Sequence, residues 1–303
     1  MELEKFKKGA LDKGEIGDFD RLYEPPDDFD KNKFDRGREF FINNIWSCTL
    51  AMQFSLVLGL SVINLLDVLV FTQESDTPKK AFARYVQTYV HILRWHYGNI
   101  FKPGSVAQNS IKLVRQIHNH VQENIMSARH DNKIYLSQYD MAIVQSGFFG
   151  AIIMYPSKFG IRCTVADLDD YVYFWRWIGY CLGIRDEYNI CHGGYKLAYK
   201  LCKDIEKELL VPALKGPPKD FPQMSSAFVR SGSLALSVEA VIALSMEAFQ
   251  EGWEPKLSFG DHLRIYILKG LVCLVYYVPG IRYVFNSIVE MAFKTCVKNA
   301  KSN

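Results

Sequence analysis

The sequence lacks the features that mark several common classes of protein. Its 36 Lys and Arg nearly balance 33 Asp and Glu, and the formal net charge of +3 excludes a strongly basic nucleic-acid-binding protein. It contains no phosphate-binding loop and no GxGxxG, GxSxG or HExxH motif, so nothing indicates nucleotide, α/β-hydrolase or zinc-protease chemistry. No linker rich in Gly, Ser or Pro divides the 303 residues, which favours one large domain over two.

Paired cysteines and a targeting signal are also missing. The seven cysteines are spread along the chain without a CxxC pair, which is typical of buried thiols in a reducing compartment and unlike a zinc site or a disulfide framework. The N-terminal segment MELEKFKKGALDKGEIGDFD is too charged for a secretory signal and too acidic for a transit peptide. We therefore expect an intracellular protein without a signal peptide.

What the sequence does have is apolar and aromatic residues at helical spacing. Hydrophobic residues make up 49% of the chain and aromatic residues 14%, and from about residue 39 the apolar runs follow a helical rather than an alternating pattern. Thr77–Pro78, Ser137 with Asp three residues later, and Thr164 with the same spacing predict helix starts. We predict an all-α fold of nine or ten helices, with a charged arm over residues 1–38 and one helical domain over 39–303.

Two apolar segments raise the question of a membrane. Residues 46–63 carry no charge, and a helix of that length is long enough to cross a bilayer, although Gln53 would face lipid at a high cost. A helix buried inside the domain and a membrane-inserted helix both stay open. In residues 265–289 Lys269 interrupts the apolar run and several tyrosines suit an interface, so this segment fits a helix pair packed on the core or one lying in a membrane surface.

Histidine placement is the most informative chemical feature. One helical face, at steps of three and four, carries His118 among apolar residues: Ile111, Val114, His118, Val121 and Ile125. Such a histidine is either a satisfied core residue or a metal or haem ligand, and Arg115, one turn earlier, would neutralise an anionic group beside the ring. A single imidazole with a neighbouring cation suits haem iron better than zinc, because zinc takes three or four protein ligands.

The preceding predicted helix carries a polar stripe formed by Arg84, Gln87, Thr88 and His91. This stripe is either a solvated surface or a face turned toward the His118 helix. In the second case Arg84 would bind a haem propionate, and Gln87 or His91 would lie on the distal side.

A single acidic residue, Asp67, occurs between Ile45 and Phe71. If Asp67 is buried, its pKa would be raised and it could act as a base. If it lies at a helix end on the surface, it would have no chemical role. Both alternatives stay open.

Four motifs follow one another between about residues 40 and 190. They are RYVQT at 84–88, RQIH at 115–118, SQYDMAIVQ at 137–145 and YFWRWIGYCLGI at 173–184. In this order they resemble the R-x-x-[K/x]-T stretch, the R-x-x-H, the post-histidine helix start and the W-x-x-h-G-x-x-L-G-h helix of one family. That family comprises the rubber oxygenase (latex clearing protein) catalytic domain and the endoplasmic-reticulum-bound mpaB-type oxygenases.

The resemblance implies an all-α fold around a b-type haem. The histidine of R-x-x-H, carried here by His118, would ligate the iron. Arg84 and Thr88 would be pocket and support residues, and Arg115 would hold a propionate or support its helix. For the aromatic helix at 173–184 we expect close helix packing rather than a direct part in catalysis.

The activity that the resemblance implies is that of a haem-dependent oxygenase, which uses O2 to cleave or oxygenate a carbon–carbon double bond of an isoprenoid or other apolar substrate. Two candidate catalytic residues depart from the family pattern. Gln87 stands where a lysine can cap the iron, and Asp67, the nearest candidate for the glutamate base, is one methylene shorter.

These departures keep two other hypotheses open. One is a haem- or lipid-binding protein without turnover, and the other is a membrane-associated helical protein whose apolar segments act only as anchors. The expected partners are an apolar small molecule and O2, with the surface of the endoplasmic reticulum or another membrane as a further candidate and no nucleic acid.

Overall fold

A computed structural model describes residues 2–12, 24–233 and 235–301. In these ranges the chain forms helices and no β-strand, so the predicted all-α class is confirmed. The α-helices are α1 Glu2–Lys7, α2 Lys31–Asn43, α3 Ile45–Gly59, α4 Ile63–Thr72, α5 Pro78–Tyr97, α6 Val106–Arg129, α7 Gln138–Met154, α8 Val165–Cys181, α9 Gly194–Ile205, α10 Val211–Lys215, α11 Phe221–Phe228, α12 Val238–Phe249, α13 Phe259–Tyr277 and α14 Ile281–Lys301.

Three helix starts lie where the sequence predicts them. The hydroxyl of Thr77 caps α5, and Ser137 and Thr164 cap α7 and α8 in reciprocal capping boxes with Asp140 and Asp167. The described helices outnumber the nine or ten predicted. Single-turn elements such as α1 and α10 are too short to produce a helical period in the sequence.

The pair α2 and α8 forms the centre of the core. Phe34 on α2 packs against the ring of Phe174, with 5.0 Å between ring centroids, and both are buried. A Cβ atom at Gly37 would lie 2.2 Å from the carbonyl oxygen of Asp170, so only glycine permits this approach. The predicted boundary after residue 38 falls within α2, whose first half already packs on the core. Of the predicted arm, residues 13–23 lie outside the described part of the chain.

The aromatic helix α8 acts in packing, as the sequence indicated. Trp175 and Trp177 are buried, and Trp175 stacks on Phe148 of α7 with 5.3 Å between ring centroids. A Cβ atom at Gly179 would lie 2.3 Å from Nε2 of Gln145. The absence of a side chain at this position therefore lets α7 and α8 come into close contact.

The uncharged segment 46–63 forms most of α3, which ends at Gly59, and a turn that leads into α4. Most of α3 is buried inside the domain. In the described residues no single helix is both long and apolar enough to cross a membrane. Two pairs pass this test of length and composition only when taken together, α2 with α3, bent by 86°, and α13 with α14, bent by 118°.

Candidate functional site

The site lies between the antiparallel helices α5 and α6, with α4 along one side. On α6, Ile111 and Ile125 are fully buried. Between them Val114, His118 and Val121 are only half-buried although they belong to the same face. The face that is fully buried at both ends is therefore only half-buried at its middle, around His118, and we call this stretch between the two helices the α5–α6 cleft.

His118 is held neutral by its surroundings. Burial is the larger cause and the positive charge of Arg84 the next, and together with His91 they lower the pKa of His118 to about 4. Its Nδ1 atom is inaccessible to water and has no hydrogen-bond partner. A neutral imidazole with an unused nitrogen is the form that ligates a metal.

Arg84 is the cation of the cleft. Its Nη1 donates a hydrogen bond to the hydroxyl of Thr72 at the end of α4, with a distance of 3.0 Å, and burial lowers the pKa of its guanidinium. Two residues of the stripe, Gln87 and Thr88, are exposed. Thr88 donates a hydrogen bond to the carbonyl oxygen of Arg84 in its own helix, 3.1 Å away, and Gln87 lies one turn from Arg84. Arg84 and His91 thus face α6, whereas Gln87 and Thr88 face solvent.

One end of the cleft is closed by a hydroxyl that the sequence analysis did not single out. Ser110 Oγ lies 2.7 Å from Nδ1 of His91 and accepts a hydrogen bond of 3.0 Å from Nε1 of Trp95. All three side chains are buried. Ser110 lies eight residues before His118 and therefore on nearly the same face of α6, which is the signal that could have found it.

Arg115 contacts the end of α8. It is buried, and its guanidinium packs against the backbone of Gly183, where an added Cβ would lie 3.4 Å from Cζ of the arginine. The charge of Arg115 also acts on the thiol of Cys181, whose pKa burial raises and Arg115 lowers. The structure places the guanidinium against the end of α8, and the expectation that Arg115 neutralises a group beside the His118 ring stays a prediction. Of the two roles that the resemblance implies, this position fits support of the helix.

Asp67 lies at the far end of the cleft. Its carboxylate accepts a hydrogen bond of 3.1 Å from Nζ of Lys133 and lies 3.6 Å from Nη1 of Arg129, and the side chain is a quarter exposed. Arg129 follows His118 by eleven residues, which is about 16 Å along α6. Asp67 is therefore an ion-paired carboxylate that the fold does not bring beside His118, and its role as a base stays a prediction.

The residues of the cleft fit a haem better than a bare metal ion. In the described residues no three His, Cys, Asp or Glu come together in a group that could hold an ion. Haem iron needs only one imidazole from the chain, and His118 offers a neutral one with Arg84 beside it as a cation for a propionate. The half-buried Val114 and Val121 supply the apolar surroundings that a flat macrocycle requires.

A separate cavity of about 220 Å³ lies between the beginnings of α4 and α7 and the segment after α10. Its lining is mostly apolar, with the carboxyl of Asp140 as its charged group. That carboxyl is engaged, since it accepts hydrogen bonds from Ser137 and from Nδ2 of Asn64, and burial raises its pKa. The cavity does not include His118 and adds no ligand to the cleft.

Comparison with known families supports the four motifs. Residues 46–190 match the sequence model described as the catalytic domain of the ER-bound oxygenase mpaB/B'/rubber oxygenase family. The matched range contains every residue of the cleft discussed above, and it confirms the resemblance inferred from the motifs. Neither the curated proteins nor the solved structures compared with the chain contain a match.

Proposed function

We propose that this protein, whose residues 46–190 belong to the mpaB and rubber oxygenase catalytic-domain family, is a haem-dependent oxygenase. In this proposal it uses O2 to oxygenate or cleave a carbon–carbon double bond of an isoprenoid or other apolar substrate. The family supports the oxygenase class. The observation that carries the haem is His118, a neutral imidazole with an unpartnered nitrogen in an apolar cleft beside a guanidinium.

Each residue of the cleft has a proposed task. His118 holds the iron of a b-type haem, and Arg84, fixed by Thr72, pairs with a propionate. When bound, the haem supplies the activation of O2. Val114 and Val121 exclude water and present an apolar wall to the substrate, which brings little charge of its own.

The proposal also includes a candidate proton acceptor. Asp67 is ion-paired with Lys133 and Arg129, and its oxygen would accept a proton from a substrate long enough to reach the far end of the cleft. Gln87, which faces solvent one turn from Arg84, occupies the position where the family can carry a lysine.

The test begins with the haem. The full chain purified with haem should show a Soret band and a stoichiometric pyridine haemochrome. His118→Ala should lose most of this haem or its axial-ligand spectrum. The matched control is His120→Ala, since His120 lies two residues on in the same helix, is exposed and hydrogen-bonds Asn124 on the surface. Full haem content with an unchanged spectrum in His118→Ala would refute the ligand assignment.

Oxygen uptake then separates an enzyme from a binder. The haem-loaded chain should consume O2 in the presence of an unsaturated isoprenoid, and His118→Ala should reduce the rate to the level of free haem. A chain that binds haem through His118 yet consumes no O2 across a broad panel of apolar alkenes would favour the alternative, a haem- or lipid-binding protein. The observation that favours this alternative is that Asp67, the candidate base, is ion-paired with Lys133.

A further inference from the structure

The helices α13 and α14 carry an apolar surface that nothing in the described chain covers. One face of α13 packs on the protein through Ile265 and Val275, which are buried. A second apolar stripe runs along the opposite face at steps of three, four and seven, and it is exposed: Phe259, Leu263, Tyr266, Ile267, Leu274 and Tyr277. A helix that is apolar on both sides is normally buried on both sides, so the outer stripe needs a partner.

The stripe continues around the turn into α14. Val278 at the turn is 43% exposed, and Tyr283 and Val284 at the start of α14 are 58% and 54% exposed. The outer face of α14 carries on with Ile288 and Met291, both exposed, while its inner face packs on the core through Phe293, stacked on Tyr89 at 4.0 Å between ring centroids. The turn and the two outer stripes form one surface, which we call the hairpin face.

Basic side chains predominate along the hairpin. Between Asp261 and Glu290 the sequence contains Arg264, Lys269 and Arg282 and no acidic residue. Arg264 lies 3.5 Å from Oδ1 of the buried Asp261, and Lys269 pairs with Glu247 of α12 at 2.7 Å. Glu290, whose side chain is one-third exposed, accepts a hydrogen bond of 2.6 Å from the hydroxyl of Tyr97. Arg282 at the turn is therefore the basic group that this stretch offers to a partner.

Arginine and tyrosine side chains form a rim at the turn. The guanidinium of Arg162 lies 4.6 Å from the ring centroid of Tyr276 and 5.3 Å from that of Tyr277. On the other side of the turn Arg282 lies 5.2 Å from the ring centroid of Tyr283. An apolar surface bordered by tyrosine rings and basic groups matches the interface of a bilayer with anionic headgroups, where aromatic rings and cations concentrate.

We propose that the hairpin face docks on the surface of a membrane that contains anionic lipid. The apolar stripes enter the boundary between headgroups and acyl chains, and Arg162 and Arg282 at the rim of the turn contact the headgroups. The two helices lie in the interface rather than across the bilayer, because the bend of 118° between α13 and α14 interrupts any straight span. This proposal concerns a different part of the molecule from the haem cleft and does not depend on the oxygenase activity.

The test is co-flotation of the full chain with phosphatidylcholine vesicles, with and without phosphatidylserine. The wild-type chain should float with the anionic vesicles, and added salt should weaken this binding. Ile267→Glu combined with Leu274→Glu places charges in the exposed stripe and should weaken vesicle binding at least about tenfold. The matched control combines Val106→Glu with Val165→Glu, two exposed apolar residues at the starts of α6 and α8, and should bind as the wild type does.

Circular dichroism must show the same helix content and unfolding temperature for both double variants. The proposal is overturned if the wild-type chain binds neither kind of vesicle, or if the stripe variant still floats as well as the wild type. It is also overturned if the chain forms a dimer without lipid that the stripe variant abolishes, since the face would then be a protein interface. Because flotation needs no haem, its failure leaves the haem spectrum of the His118 experiment unaffected, and the reverse also holds.

Discussion

At the residue scale, the chemistry of the cleft depends on one histidine that stays neutral. His118 is half-buried with an unpartnered Nδ1, and Arg84 and His91 add positive potential to the effect of burial. Both causes disfavour the imidazolium. A neutral ring keeps a lone pair available for a metal near pH 7. An ordinary histidine, with a pKa of about 6.5, is already partly protonated there.

The lowered pKa of His118 predicts a pH dependence of folding stability. The folded-state pKa of about 4 lies below the ordinary value of 6.5, so between these values the unfolded chain binds a proton that the folded chain does not. The stabilising contribution is therefore complete above pH 6.5 and is lost as the pH falls toward 4. In urea titrations, the stability difference between wild type and His118→Asn should shrink across this window, by at most about 1.4 kcal/mol per pH unit.

The comparison with His118→Asn isolates this residue from a second buried histidine. Burial also lowers the pKa of His96, to about 3, and this contributes an acid sensitivity of the same sign to both proteins. A stability difference between wild type and variant that is constant from pH 7.5 to pH 4.5 would contradict the prediction and place the ring in a more solvated setting.

At the element scale, helix pairs meet where a small residue or a shared hydroxyl permits it. Ser110 joins α6 to α5 through His91 and Trp95, so the two helices are held together on one side of the cleft. Two turns further along α6, the residues around His118 are only half-buried. The cleft therefore lies beyond the contact that Ser110 makes.

The contact between α2 and α8 yields a second prediction. Gly37→Ala introduces a Cβ atom 2.2 Å from the carbonyl oxygen of Asp170. Because this oxygen belongs to the backbone of α8, the clash is relieved only if α2 and α8 move apart. We expect a loss of about 1–3 kcal/mol in the free energy of unfolding, as for other overpacked sites. Gly59→Ala at the end of α3 is the matched control. No atom lies within 4 Å of its added Cβ, so it should be neutral or stabilise by up to about 1 kcal/mol.

Urea unfolding monitored by circular dichroism measures both glycine variants. Equal effects of Gly37→Ala and Gly59→Ala would show that the close approach of α2 to α8 is not needed for stability. A result in which only Gly37→Ala is destabilised would support the packing of the central pair as described.

At the scale of the whole molecule, the α5–α6 cleft and the hairpin face make one coherent proposal. An apolar substrate dissolves in a bilayer rather than in water, and a chain docked on that bilayer would receive it there. The contact of α14 with the core through Phe293 and Tyr89 ties the hairpin to α5, the helix that carries Arg84. Docking and substrate supply would thus act on the same helix.

This arrangement predicts that the form of the substrate decides the effect of the hairpin variant. Ile267→Glu with Leu274→Glu should lower O2 uptake when the isoprenoid is embedded in anionic vesicles. It should leave uptake unchanged when the substrate is dispersed in detergent, because the cleft is intact. Oxygen-electrode rates in the two media measure this. Equal losses in both media would mean that the substitutions damage the cleft, and no loss in either would mean that docking does not supply the substrate.

By itself the sequence determined the helical class, the capped helix starts and the residues that could serve a haem. These properties are local. A capping hydroxyl at Ser137 bonds three residues away, and the apolar stripe around His118 follows from the period of the helix. The four motifs also lie in the sequence itself, which is why the resemblance of residues 46–190 to the family could be recognised from them.

Only the tertiary structure decided which candidates meet. It brings the hydroxyl of Thr72 to the guanidinium of Arg84, places Arg115 against the end of α8 and pairs Asp67 with Lys133. Each of these contacts joins residues more than ten positions apart, and which side chains become partners depends on how the helices cross. The helical period of a sequence shows on which face of its helix a residue lies. It does not show which element packs against that face.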